Sequence, residues 1–182
     1  MVSDIAAARV LAVEDDPIVR ADLRLILEDA GFDVAEARDG IEAVEQAREH
    51  RPDVILLDLG LPKLDGVDAA RRILREREVP IVALTGRSNT DGQRRAAQAG
   101  ATDVVLKPFS ERELVGKLRD ALVEREARRY EHDHLRVMIE SMVRAGSSQR
   151  EVENAVRRAT GQPPLPSAAD LALWRFRGWF AR

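Results

Sequence analysis

Glu14 and Asp15, Asp58, Thr85 and Lys107 each stand at the end of a short apolar run, scattered along the chain. If those runs are neighbouring strands of one parallel sheet, their carboxyl ends face a single crevice, which is where open α/β sheets keep their chemistry. Three carboxylates brought together there repel one another and require a cation. Hard oxygen donors with room for water suit magnesium, which takes one or two carboxylates together with phosphate oxygens. A lysine and a hydroxyl on the opposite side suit a transferring phosphoryl group, whose oxygens need charge and hydrogen bonds. Alone, Asp58 reads as a nucleophile, a metal ligand or a turn residue closing a strand. Placed between a metal and a lysine, it is the natural nucleophile for an aspartyl phosphate.

The elements that must position these residues are legible from hydrophobic pattern and turn signals. Val54-Ile55-Leu56-Leu57, between Pro52-Asp53 and Gly60-Leu61-Pro62, reads as a strand buried on both faces. Arg9–Val13, Asp33–Ala37, Pro80–Leu84 and Thr102–Leu106 supply four more strands. Pro17 fits the first turn of a helix, because its missing N–H would be unpaired there. Ile18, Leu23, Ile26 and Leu27 continue that helix to a Gly31 cap. Asp39 with Glu42, and Ser110 with Glu113, have the spacing of capping boxes. Helices are predicted from about Asp39 to His50, from near Asp65, over Asn89–Ala99, and from Ser110 with Leu114, Leu118 and Leu122 inward. Strands alternating with helices in this way predict a doubly wound, five-stranded parallel α/β domain.

Four motifs in order carry a family resemblance: Val13-Glu14-Asp15-Asp16-Pro17; Leu57-Asp58-Leu59-Gly60-Leu61-Pro62 with Asp65-Gly66 downstream; Leu84-Thr85-Gly86; and Lys107-Pro108-Phe109. Each is weak singly, but together at these spacings they are specific. From about Arg9 to Val123 the chain resembles the receiver domain of two-component response regulators. The resemblance implies a flavodoxin-like sheet in the order 2-1-3-4-5 and phosphorylation of Asp58 by a phosphohistidine on a sensor histidine kinase or phosphotransfer protein. It implies Mg2+ held by Glu14, Asp15, Asp58 and the Gly60 backbone carbonyl, with Lys107 pairing with the phosphoryl group. Thr85, followed by Gly86, is the implied switch hydroxyl, and the bond before Pro108 is implied to be cis. Such a domain catalyses its own phosphorylation and slower dephosphorylation and is a switch, not a metabolic enzyme. One position departs from the pattern: receivers usually carry an aromatic residue three places before the lysine, and here it is Val104. Output coupling is therefore expected to run through the backbone from Gly86 to Thr90.

Composition divides the chain. Apolar residues make up 45 % and charged residues 34 %. The absence of cysteine excludes disulfides, thiolate metal sites and a cysteine nucleophile. Through Glu124 there are 18 Lys and Arg against 25 Asp and Glu, a net of −7; from Arg125 onward there are 11 against 7, a net of +4. That asymmetry predicts two parts with different partners. Residues 1–123 form the phosphoacceptor block, 124–134 a charged helical linker, and 135–182 a small all-helical output region. No stretch has the length of a membrane span or the apolar core of a signal peptide, so a cytoplasmic protein without membrane contact is expected.

Two readings of the output region stay open. Two short helices across Gly146-Ser147-Ser148 look like a helix-turn-helix, with Arg150, Arg157 and Arg158 available for DNA or RNA phosphates. A helical tail behind a receiver also loosely resembles the ANTAR antiterminator regulators, although Pro163, Pro164 and Pro166 interrupt where a third helix should run on. The alternative is a protein-interaction or homodimerisation module built on Trp174, Phe176, Trp179 and Phe180. His132 and His134, two residues apart on a helix, point to different sides and read as solvated.

Overall fold

The computed structural model describes residues 8–86 and 89–162. The chain forms two compact units, Met1–Glu126 and Ala127–Arg182. In the first, strands β1 (Arg9–Val13), β2 (Asp33–Ala37), β3 (Val54–Asp58), β4 (Ile81–Thr85) and β5 (Asp103–Leu106) alternate with helices α1 (Pro17–Asp29), α2 (Gly40–Glu49), α3 (Gly66–Glu76) and α4 (Asn89–Ala99). Helix α5 (Glu111–Arg144) follows β5. All four pairings are parallel, and the sheet order is β2-β1-β3-β4-β5. This is the doubly wound flavodoxin-like order that the motifs implied.

Side chains alternate across the pleat, so each strand feeds two cores. Leu11, Val13, Ile55, Leu57, Ile81 and Ala83 face α2, α3 and α4, where Ala43, Ala47, Ala70, Ile73, Ala96 and Ala99 meet them. Val10, Ala12, Val54, Leu56, Val82 and Leu84 pack with Leu23 and Leu27 of α1 and with Leu114, Leu118, Ala121 and Leu122 of α5. Every residue of β3 and β4 is buried, which explains why those two runs show no polar alternation in the sequence.

Short polar side chains set the helix starts. Asp16 caps α1, accepting from the Ile18 and Val19 amides, with Pro17 in the first turn. Asp39 caps α2 through the Ile41 and Glu42 amides, at 3.0 and 2.9 Å. Glu42 does not complete the predicted box on the Asp39 amide; it reaches one residue further back and accepts from Arg38 N at 3.0 Å.

In the second unit one sequence expectation is corrected. The first of the two helices read across Gly146-Ser147-Ser148 is not a short helix; it is the end of α5, which continues to Arg144 because no Gly or Pro interrupts it after Gly116. The second of the two helices runs from Gln149, giving α6 (Gln149–Ala159). Ser148 is its cap, in a full capping box in which Glu151 accepts from the Ser148 amide at 2.7 Å. Ala155 is buried, while Val152 and Val156 are half-buried. Trp174, Phe176, Trp179, Phe180 and the three prolines lie outside the described residues. Among the described residues no helix is long and apolar enough to cross a membrane.

At the amino-terminal edge of the sheet Asp53 ties three elements together. Its carboxylate accepts from the Arg9 amide at 3.0 Å and from Arg125 of α5 at 2.9 Å, and Arg125 also donates to the Asp53 carbonyl. Burial pushes the Asp53 carboxyl up, but the Arg9 amide and the Arg125 guanidinium outweigh it and hold the group below its ordinary value. A carboxylate depressed on folding stabilises the fold above its unfolded pKa, and that stabilisation is lost as the pH falls through the folded one. Asp53→Asn should therefore cost about 1–3 kcal/mol at neutral pH. In urea unfolding curves the gap to the parent should hold down to about pH 4 and close below it.

Candidate functional site

The carboxyl ends of β1, β3, β4 and β5 converge on one edge of the sheet, and each places one of the residues singled out in the sequence. Glu14 directly follows β1 and is 2 % exposed, Asp58 closes β3 at 9 %, and Thr85 closes β4 at 2 %. Asp15 is exposed beside them. Carboxylate oxygens of Glu14, Asp15 and Asp58 all lie within 4.8 Å of one another, so one cation can meet all three.

Lys107 enters this cluster from the loop after β5. Its Nζ donates to Glu14 Oε2 and to Asp58 Oδ2, each at 2.5 Å. Lys107 N–H in turn donates to the Thr85 carbonyl at 2.9 Å, which fixes the loop against the end of β4. The Lys107–Pro108 peptide bond is cis. The second Asp58 oxygen, Oδ1, accepts from the Gly60 amide at 2.6 Å.

The electrostatics follow from two buried carboxylates sharing one ammonium. Burial raises the Glu14 carboxyl above the usual carboxylate range; the Asp58 charge adds to this and the Lys107 hydrogen bond opposes it. Burial pulls the Lys107 ammonium down, but hydrogen bonds and charge from Asp58 and Glu14 prevail and hold it above its ordinary value. The donor set is hard, anionic and partly open to solvent through Asp15. It therefore fits a small divalent cation such as Mg2+ and offers nothing to a soft metal.

The loop that follows β3 is held from two sides by residues the sequence did not single out. Lys63, with a left-handed φ of 62°, donates to the buried Asp39 at 2.5 Å. The amide and Lys63 bonds together hold the Asp39 carboxyl below its ordinary value, the Lys63 hydrogen bond being the larger cause. A Cβ on Gly40 would run into the Leu64 carbonyl, and one on Gly66 would run into the Asp58 carbonyl, so only glycine permits these approaches. On the other side, Arg95 of α4 donates to the Leu59 carbonyl and to Asp65. An isolated Lys or Arg in a polar helix carries no motif, and these contacts are visible only once the loop is folded.

Val104 is half-buried and packs against the core on the α2, α3 and α4 face. Gly86 is exposed, and the loop that leaves it for Thr90 lies partly outside the described residues. In the second unit Arg150 and Arg158 are exposed and Arg157 is half-buried, all on α6. His132 and His134 are exposed on α5, with His134 stacked on Tyr130 at 6.3 Å.

A parallel sheet of this order with acids and a lysine gathered at its carboxyl edge defines a class of α/β domain, and comparison with known proteins makes the class specific. Residues 10–119 match the model of the response regulator receiver domain, and the chain belongs to that family. The DNA-binding response regulator MtrA of Mycolicibacterium smegmatis is 41% identical over 119 residues, 65% of this chain and 52% of that protein. The transcriptional regulatory protein PdtaR of Mycobacterium tuberculosis is 45% identical over 108 residues, 59% of this chain and 53% of that protein. The chain thus spans about half the length of these curated relatives. Among solved structures, the receiver domain of the sensor histidine kinase PA1611 from Pseudomonas aeruginosa, described with a magnesium ion in its active site cleft, is 37% identical. It has a TM-score of 0.59 and covers 64% of this chain and 98% of that one. The chemotaxis protein CheY4 of Vibrio cholerae is 31% identical with a TM-score of 0.60, covering 63% and 98%.

Removing the shared cation tests the charge balance of the cluster. Lys107→Met leaves Glu14 and Asp58 facing each other, and without the ammonium that opposes it the Glu14 carboxyl rises further above its unfolded value. A raised carboxyl costs stability above its pKa and returns it on protonation. The variant should be destabilised at pH 7 by about 1–3 kcal/mol, and its deficit should shrink as the pH falls towards about 4. Denaturation curves across that range measure both effects.

Proposed function

We propose that this chain is a two-component response regulator in which Asp58 accepts a phosphoryl group from a phosphohistidine on a sensor kinase or phosphotransfer protein. The observation that carries this reading is the convergence of Glu14, Asp15 and Asp58 on one point, with Lys107 bridging two of them. Glu14, Asp15, Asp58 and the Gly60 carbonyl would hold Mg2+, which supplies the positive charge that lets carboxylates and phosphoryl oxygens share one crevice. An Asp58 carboxylate oxygen attacks phosphorus, the N–P bond breaks, and its electron pair leaves with the imidazole. Lys107, bonded to Asp58 beforehand, then pairs with the phosphoryl oxygens, and the buried Thr85 hydroxyl supplies a further hydrogen bond. Water later hydrolyses the acyl phosphate and restores the carboxylate. The chain turns over no other substrate in this scheme and works as a switch.

For the output we infer binding of nucleic acid, in control of transcription or antitermination. Two observations support this: relatives that share the receiver carry the descriptions DNA-binding and transcriptional regulator, and α6 presents Arg150, Arg157 and Arg158 behind a capped start. The second reading is a protein-interaction or dimerisation module. It is favoured by Tyr130, Val137 and Val143, large side chains that are 74 %, 62 % and 61 % exposed on the second unit's part of α5.

Acetyl phosphate with Mg2+ should label the full chain with an acid-stable, alkali-labile phosphoryl group, and Asp58→Asn should remove the label. Equal labelling of the variant contradicts the assignment. With beryllofluoride bound, the full chain should retard random DNA or RNA, and the triple change Arg150→Gln, Arg157→Gln and Arg158→Gln should weaken retardation and flatten its salt dependence. Absence of retardation together with a concentration-dependent rise in mass selects the interaction module.

A further inference from the structure

Arg95 lies on α4, away from the motifs, yet its guanidinium is directed into the loop after the acceptor aspartate. Nη2 donates to the Leu59 carbonyl at 2.6 Å and to Asp65 Oδ2 at 2.8 Å. The side chain is only 16 % exposed, and its Nε is buried with no hydrogen-bond partner among the described residues. A buried donor left unmatched calls for an explanation, and here the explanation is what the other nitrogen holds.

The Leu59 carbonyl and the Gly60 N–H belong to one peptide group. Arg95 holds that group by its oxygen, and Asp58 Oδ1 holds it by its nitrogen at 2.6 Å. A cation on the carbonyl oxygen polarises the amide and strengthens the bond its N–H makes, as in any hydrogen-bonded chain at low dielectric. Arg95 therefore sets both the direction and the strength of a hydrogen bond received by the phosphoacceptor carboxylate. The Leu59 N–H donates to the Leu84 carbonyl at 3.1 Å, so the residue gripped by Arg95 is also fixed to the strand that ends in Thr85. The other Arg95 acceptor, Asp65, caps α3 through the Val67 amide at 2.9 Å. One side chain thus joins α4 to the acceptor loop and to the start of α3.

We propose that Arg95 is a positioning residue for Asp58, acting through the Leu59–Gly60 peptide, and that the same contact transmits the phosphorylation state of Asp58 to α4. When Asp58 carries a phosphoryl group it is no longer the same acceptor for the Gly60 amide. The peptide group readjusts, and the guanidinium bound to its far end readjusts with it. This gives α4 a route to the site in a chain that has Val104 where receivers usually carry an aromatic ring. The inference rests on Asp58 being the phosphoacceptor.

The test compares the full chain with Arg95→Met and Arg95→Lys, using amide NMR of the ligand-free and beryllofluoride–Mg2+ forms together with labelling by acetyl phosphate. In the ligand-free Arg95→Met protein the Gly60 amide proton should move upfield while core amides such as Val10 and Leu56 stay in place. Labelling should slow by about tenfold, and beryllofluoride should no longer shift the amides of Ala96 to Ala99. Arg95→Lys, which keeps a charged donor, should recover part of both effects. An Arg95→Met protein that labels at the parent rate, with α4 shifts equal to the parent's, overturns the role of Arg95 and leaves Asp58 in place. Failure of both parent and variants to label at Asp58 overturns the underlying reading and this inference with it.

Discussion

Two buried carboxylates held by a single ammonium are the constraint on which the rest of this domain depends. Glu14 and Asp58 come from strands that pair side by side, so the sheet itself forces them together. Lys107, from the far strand, is the cation that lets them coexist. The same cluster is short of positive charge, since Asp15 adds a third carboxylate. A site with that imbalance is suited to take up a divalent cation and then a group rich in oxygen, which is the chemistry of phosphoryl transfer.

The architecture serves that edge. Both faces of the sheet are covered by helices, so β3 and β4 are buried along their whole length and deliver Asp58 and Thr85 at fixed positions. The loop after β3 is clamped by Lys63 to the start of α2 and by Arg95 to α4, with Gly40 and Gly66 allowing backbone to approach backbone. As proposed above, a loop gripped in this way passes a change at Asp58 on to α4. In the proposed scheme the replacement of the usual ring by Val104 shifts that duty to hydrogen bonds of the loop.

The sheet and the acid cluster were legible in the sequence because both depend on local pattern. Uninterrupted apolar runs mark strands buried on two faces, and acids or lysine directly after such runs mark a shared edge. Pro17 marked the first turn of α1, and Asp39 and Ser110 marked helix starts through their spacing to Glu42 and Glu113. Arg95 and Lys63 were not legible, because their partners are a backbone carbonyl and a carboxylate far along the chain. The extent of α5 was misread for a different reason. The charged helical linker was divided from the output region at Leu135, whereas a helix continues until a residue stops it, and the stop comes only at Ala145-Gly146.

In the proposed scheme Glu14, Asp15 and Asp58 together hold one divalent cation. The most direct measurement of that binding is the thermal midpoint of the full chain as a function of Mg2+ concentration. A ligand that binds only the folded state raises the midpoint progressively with its concentration. The account predicts such a rise for the parent, abolished in Asp15→Asn and in Asp58→Asn while both variants remain folded. A midpoint indifferent to Mg2+, or one that climbs equally in the variants, contradicts it.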